Sequence, residues 1–269
     1  MKIGVVGAGL IGGSVILALK GKGYDITVVT GNQKTREILK NTGITASDEM
    51  NSLKGCDVIF VCTPMNKTLD ILDSLESIAE KNTIVADVAS LKGFVMAKKR
   101  PFKLIGSHPM AGTEKSGFSA AMANLFCGAK WVLTPAADIT DNDLQVINDI
   151  ILKTGAKTLI MSPEEHDRAV AIISHMPMLI SQALMKNTLN NDNALKLAAS
   201  GFRDMTRLAL SNTEMAEDMV TMNNANIKSA LNDLSVAIDK LLSGDYKQEI
   251  ENIKSFRSEM YNKDGCNTL

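Results

Sequence analysis

Short apolar runs alternate with amphipathic stretches through roughly the first 160 residues of the chain. The runs fall at Lys2–Val6, Ile26–Thr30, Val58–Cys62, Thr83–Asp87, Leu104–Gly106, Lys130–Thr134 and Thr158–Met161. Helical spacing fills most gaps between them, at Leu10–Lys20 after the first run, Gln33–Asn41 after the second and Leu69–Glu80 after the third. Alternation of this kind predicts a parallel sheet covered by helices on both faces. Ligands of such open sheets bind outside the carboxyl ends of the strands, so the residues that follow each run carry the chemical interest.

From "SPEEHD" (residues 162–167) onward the texture changes, and no strand pattern follows before about Met260. Ser162 followed by Pro163, Glu164 and Glu165 is a helix start: a cap, a proline at the first position and acids in the first turn. Pro177 falls inside that helix and predicts a kink. Ile227, Leu231, Leu234, Ile238 and Leu241 are spaced four, three, four and three, one stripe of a helix running from about Glu214 to Leu242. A stripe this long calls for a partner, and the expectation is a helical domain that packs on itself and also dimerises. The final "NKDGCNTL" reads as a loose tail.

Composition narrows the function. The 269 residues are 45% hydrophobic and 22% charged with a net charge of −1, which suits two globular domains and supplies no basic patch for nucleic acid or an anionic membrane. The apolar start has one basic residue ahead of it and five glycines by Gly13, so it splits into a strand and a helix and not into an export signal. No other stretch reads as long enough to span a bilayer. Cys56, Cys62, Cys127 and Cys266 lack metal-ligand spacing, and a cytoplasmic protein without disulfides or metal is expected.

The most informative strand end is the first. "IGVVGAGLIGGS" contains Gly7-Ala8-Gly9-Leu10-Ile11-Gly12, directly after a strand and opening a helix, the context the dinucleotide fingerprint requires. Gly7 permits the tight turn, Gly9 lets the pyrophosphate approach the backbone, and Gly12 lets the helix pack on the strand. The helix N-terminus offers amides and a favourable dipole to phosphate. About twenty residues on, where NAD-binding folds carry an acid for the ribose, the chain reads Thr30, Gly31, Asn32. Thr30 can donate to a 2′-phosphate and Lys34 or Arg36 could supply charge, so NADP is favoured with NAD left open. Cys62, Thr63 and Pro64 sit at a second strand end, and Asp87 to Ser90 at a third, where Ser90 could equally cap a helix. The fold class expected is α/β: an N-terminal Rossmann-type dinucleotide-binding domain over residues 1–161 and a C-terminal all-helical dimerisation domain over 162–269.

His108, in "GSHPMAGTEKSGF", lies at one more strand end between glycines. Pro109 biases it to extended backbone, and an imidazole titrates near neutrality, which suits a general base beside a nicotinamide. This block, with "DVASLK" before it, "NLFCGAKWVLTP" after it and "SGFRDMTRLA" in the helical half, resembles the prephenate/arogenate dehydrogenase family from residue 1 to at least Arg207. The resemblance implies oxidative decarboxylation of a cyclohexadienol in tyrosine biosynthesis, by a homodimer with its active site between the two domains. It implies His108 as the base, Ser90 aligning hydroxyl and nicotinamide, and Arg207 clamping a substrate carboxylate with Arg203 as rival. Thr113 and His175 are carried as substrate contacts and His166 as structural. Met178 stands where some prephenate-preferring relatives have a second histidine, so arogenate is favoured and prephenate left open. The alternatives are another two-domain oxidoreductase, of the β-hydroxyacid dehydrogenase or imine reductase type, and a protein that binds NADP without turnover.

Overall fold

In the computed structural model, which describes residues 1–263, eight strands form a single sheet: β1 (Lys2–Val6), β2 (Asp25–Val29), β3 (Thr45–Ser47), β4 (Val58–Val61), β5 (Ile84–Asp87), β6 (Lys103–Pro109), β7 (Lys130–Pro135) and β8 (Lys157–Ile160). Their order is β3-β2-β1-β4-β5-β6-β7-β8. The central strands are buried from end to end, which is why they read as continuous apolar runs and not as alternating ones. β3, three residues long, carries too little pattern to be read from sequence.

The expectation of a wholly parallel sheet needs correction. β7 pairs with β6 antiparallel, with His108 opposite Val132, and β8 then follows β7 in parallel. The cause is the connection between β6 and β7. Residues 110–129 hold one short 3₁₀ turn, Phe118–Ala120, and no crossover helix, so the chain turns back on the same edge. Between β7 and β8 a helix does intervene, and the pair is parallel.

Helices α1 (Leu10–Leu19), α2 (Gln33–Asn41), α3 (Met65–Leu75), α4 (Gly93–Met96) and α5 (Asp141–Leu152) connect the strands. One face of the sheet buries Ile3, Val5, Phe60 and Trp131 against α1 and α5. The other buries Val6, Ile59, Phe102 and Leu104, and there Val170, Met178, Ala216 and Met219 of the second half join the same apolar cluster.

That second half contains α6 (Pro163–Val170), α7 (Met176–Thr188), α8 (Asp192–Leu197), α9 (Ser200–Thr206), α10 (Thr213–Met222), α11 (Asn224–Ser243) and α12 (Tyr246–Lys263). Ser162 and Glu165 close a reciprocal cap on α6. A π-turn over Ala171–His175 joins α6 to α7 just before Pro177, whose missing N–H leaves a carbonyl of the preceding turn without its helical partner. The helix expected from about Glu214 to Leu242 is in fact two, broken at Asn223 (φ −111°, ψ 21°), where tertiary hydrogen bonds hold the side chain. The stripe is buried only at its start: Ile227 is 2% exposed, Ile238 46%. The continuous run Pro163–Thr188 is, contrary to expectation, long and apolar enough to cross a membrane by length and composition. Within this run Val170, Ala171 and Met178 are buried beside polar His166, His175 and Ser181. Of the expected loose tail, residues 262 and 263 end α12 and the remainder lies outside the described residues.

Candidate active site

All three histidines of the chain gather where the sheet meets the helical half. β6 delivers His108, one residue before its end. α6 delivers His166, whose ring centroid is 5.2 Å from that of His108 at an interplanar angle of 74°. His108 Nδ1 lies 3.0 Å from His166 Nε2, and His166 Nδ1 lies 2.8 Å from Asp167 Oδ1. The Asp167 carboxylate also accepts the backbone N–H groups of Lys92 and Gly93, each at 2.8 Å. Burial works to raise the Asp167 carboxyl, but hydrogen bonds from His166 and the two amides outweigh it and bring it below its ordinary value.

These contacts set the order of protons. An ionised carboxylate can only accept, so His166 donates from Nδ1, and whenever that ring is uncharged its Nε2 accepts from His108 Nδ1–H. His108 Nε2 is left with its lone pair. Burial pushes His108 well below the usual 6.5, and the Lys92 ammonium pushes the same way, as would a proton gained by His166 or His175. At neutral pH the ring is therefore uncharged and can take a proton at Nε2, with the charge it acquires spread towards His166 and Asp167.

Beneath this ring is a closed polar network. Asp87, at the end of β5, is ion-paired with Lys92, and both side chains are wholly buried. Lys92 Nζ donates to the Ser107 carbonyl at 2.6 Å, the Ser107 amide donates to Asp87 Oδ1 at 3.1 Å, and Trp131 Nε1 donates to Ser107 Oγ at 3.0 Å. Asp87 Oδ2 accepts the Ala89 amide at 2.8 Å, which fixes the turn that carries Ser90. Burial lowers the Lys92 ammonium from its ordinary value, against the attraction of Asp87.

The glycine turn lies at the end of β1. Gly7 has φ +90°, and a Cβ there would come within 2.6 Å of the Cys62 carbonyl oxygen. A Cβ at Gly12 would fall 2.0 Å from the Gly7 carbonyl oxygen, so α1 crosses the turn closer than any side chain permits. Gly9 differs: a Cβ there meets nothing within 4 Å, and no side chain caps the helix that begins at Leu10 and Ile11. Uncapped amides facing open space are what a pyrophosphate needs, so these residues fit a dinucleotide. Nearby, Thr63 Oγ1 is buried without a hydrogen-bond partner among the described residues, and burial raises the Cys62 thiol above its usual range. Pro64 caps α3 beside them. At the end of β2 the Thr30 carbonyl accepts from Arg36 at 2.7 Å, and Arg36 also pairs with Asp48 at 3.0 Å, which ties that guanidinium down.

Other residues singled out in the sequence are placed apart. Thr113 is exposed in the loop after β6, its Oγ1 accepting the Lys115 amide at 3.2 Å. Arg207 is exposed in a 3₁₀ turn and, with Arg203, Thr206 and Met185, lines a cavity of about 550 Å³ whose wall includes none of the histidines. Arg203 pairs with Asp204 at 3.4 Å on the surface. His175 is buried beside the cluster, its Nδ1 3.1 Å from the Asn223 amide nitrogen. His166 and Asp167 escaped a functional reading. The reciprocal cap at Ser162 was the available signal, since it places both one turn into a helix, but nothing local says that β6 lies opposite.

The fold and site are those of a two-part, dinucleotide-dependent dehydrogenase. Two family models match: "Prephenate dehydrogenase, nucleotide-binding domain" over residues 15–160 and "Prephenate dehydrogenase, dimerization domain" over residues 162–260. A prephenate dehydrogenase of Bacillus subtilis is 32% identical over 97% of this chain and 75% of its own. Among solved structures, Synechocystis arogenate dehydrogenase is 33% identical with a TM-score of 0.81, covering 98% of both chains. Prephenate dehydrogenase from A. aeolicus, in complex with hydroxyphenyl propionate and NAD+, is 25% identical with a TM-score of 0.82 over 98% of this chain and 96% of that one. The chain belongs to the prephenate/arogenate dehydrogenase family, oxidoreductases that use a nicotinamide cofactor.

Proposed function

We propose that this chain oxidatively decarboxylates a cyclohexadienol in tyrosine biosynthesis, with arogenate preferred to prephenate and NADP to NAD. The observation that carries the reading is the chain from His108 through His166 to Asp167, which leaves a neutral Nε2 free at a strand end. A nicotinamide held by the glycine turn would supply the hydride acceptor. His108 Nε2 takes the proton of the ring hydroxyl as hydride leaves the same carbon. The resulting carbonyl draws the electron pair released when the ring carboxylate departs as carbon dioxide. The phenolate so formed takes a proton, and the His108 imidazolium can supply it. Ser90, held on the Asp87 turn, orients the hydroxyl.

Gly7, Gly9, Leu10, Ile11 and Gly12 would hold the pyrophosphate, with Cys62, Thr63 and Pro64 walling the cofactor on the β4 side. Thr30 would meet the ribose, and NADP is supported by the end of β2, which carries no acid of its own, the nearby Asp48 being paired with Arg36. Arg207, with Arg203 as rival, would bind a substrate carboxylate, and Thr113 and His175 would complete the substrate contacts. Arogenate is supported by Met178, three residues beyond His175 and buried, and by the likeness to Synechocystis arogenate dehydrogenase. The helical half, matched by a dimerisation domain, would pair two copies.

Reduction of the nicotinamide, followed with arogenate and prephenate against NADP and NAD, tests the reading. Turnover with arogenate and NADP is expected to dominate. Preference for prephenate or for NAD would discard the finer assignment, and silence in all four assays would discard the reaction.

A further inference from the structure

Asn223 occupies the break between α10 and α11 and is 4% exposed. Three contacts hold its side chain. Its amide nitrogen is 2.9 Å from the Asp167 carbonyl oxygen and 3.1 Å from His175 Nδ1, and its amide oxygen accepts from Asn226 Nδ2 at 2.8 Å. A backbone carbonyl only accepts, so the amide nitrogen must face Asp167, and the contact with Asn226 agrees with that orientation. The second amide hydrogen then points at His175 Nδ1. That nitrogen has to accept, and the proton of a neutral His175 ring therefore sits on Nε2.

Nε2 finds no hydrogen-bond partner among the described residues, although His175 is 1% exposed. A buried N–H without an acceptor is costly, and in native proteins such groups commonly serve a ligand or an ordered water. The charged and titratable neighbours of His175 are Asp167 and His166 on α6, with His108 and Lys92 beyond them on the sheet side. Burial lowers His175 to about 4, over the opposing pull of Asp167. A neutral donor beside His108 leaves that ring able to accept a proton, whereas an added cation would oppose it.

We propose that Asn223 is a positioning residue: it locks His175 as the Nε2–H tautomer, so that the histidine cluster offers an acceptor oxygen of the bound substrate a neutral N–H donor. The identity of that ligand rests on the reading given above, but the lock does not. In the other tautomer His175 would turn a lone pair towards the same oxygen and repel it.

With only three histidines in the chain, ¹⁵N-histidine NMR can report each ring, and His175→Gln assigns the signals. In the free protein His175 should show a protonated Nε2 and a bare Nδ1 at pH 7. Asn223→Asp should move the proton to Nδ1 or charge the ring, because a carboxylate cannot donate there. Where the Asp variant fails to fold, Asn223→Ala should give a mixture of tautomers. Saturation with hydroxyphenylpropionate and NADP should shift the Nε2 signal. Asn223→Ala should also raise KM for the cyclohexadienol about 10-fold or more while kcat changes far less. A wild-type His175 protonated at Nδ1 overturns the lock, and an Nε2 signal or a KM that does not respond overturns the donor role. If the lock behaves as described in a protein that turns over no cyclohexadienol, the substrate reading falls and the lock stands.

Discussion

The two halves of the molecule treat their side chains differently. In the sheet half the central strands are buried on both faces and even an ion pair, Asp87 with Lys92, is sealed from solvent, with Leu152, Leu159 and Ile160 exposed at the β8 edge. In the helical half Leu197, Leu210, Leu242 and Phe256 are 83%, 78%, 80% and 70% exposed, and the pair Arg203–Asp204 sits in water. The sheet half closes its core with its own helices and with Val170, Met178, Ala216 and Met219 of the helical half. The helical half, which belongs to a dimerisation domain, presents the kind of surface that a second copy covers. The histidine cluster lies on the seam: His108 comes from the sheet half, while His166, Asp167, His175 and Asn223 come from the other.

Changes on the seam should have the largest effect. His108→Asn is expected to lower kcat by about 10²–10⁴-fold with little change in cofactor binding or melting temperature. Steady-state kinetics beside a cofactor titration would check it, and retained activity would remove His108 from the role of base. Next comes the sealed pair. Lys92→Met alone leaves Asp87 buried and uncompensated and should cost about 3–5 kcal/mol in denaturant unfolding, whereas Asp87→Leu with Lys92→Met should cost less. A double variant that is worse than the single would show that the pair contributes net stability of its own.

Acid should loosen the seam before it reaches the rest of the sheet half. His108 and His175 both titrate below the ordinary 6.5 in the folded chain, so the unfolded chain binds protons that the native chain refuses. The contribution of His175 is complete above about pH 6.5 and is lost as the pH falls towards 4, on the order of 3 kcal/mol at most, and that of His108 declines in the same direction. Unfolding curves between pH 7 and 4 should show this decline, and His175→Gln should flatten part of it. The smallest effect is reserved for the exposed face. Leu242→Glu should weaken dimerisation by roughly 10-fold, an effect of about 1–2 kcal/mol, and leave the unfolding of the isolated subunit nearly unchanged. Sedimentation across a concentration series would measure it.

Much of the sheet half was legible because its signals are local. The Gly7–Gly12 turn announces itself through steric demands within a few residues of sequence, and every buried strand shows as an apolar run. His108 was legible through Pro109 and the flanking glycines. The direction of β7 was not, since it depends on the lack of a crossover helix in residues 110–129 and on which edge of the sheet remains open. In the helical half the heptad-like stripe from Ile227 onward correctly marked a helix but said nothing of its break. Asn223 ends α10 because Asp167 and His175, 56 and 48 residues earlier, hold its side chain.

The sequence alone determined the β-α alternation, the dinucleotide turn, the helical second half and the presence of a histidine at a strand end, because each follows from short-range sterics and periodicity. Only the tertiary structure decided what that histidine can do. The proton order from His108 to Asp167 and the fixed tautomer of His175 depend on groups brought together from distant parts of the chain. A hydrogen bond forms over about 3 Å in space, and spacing along the sequence does not encode that distance.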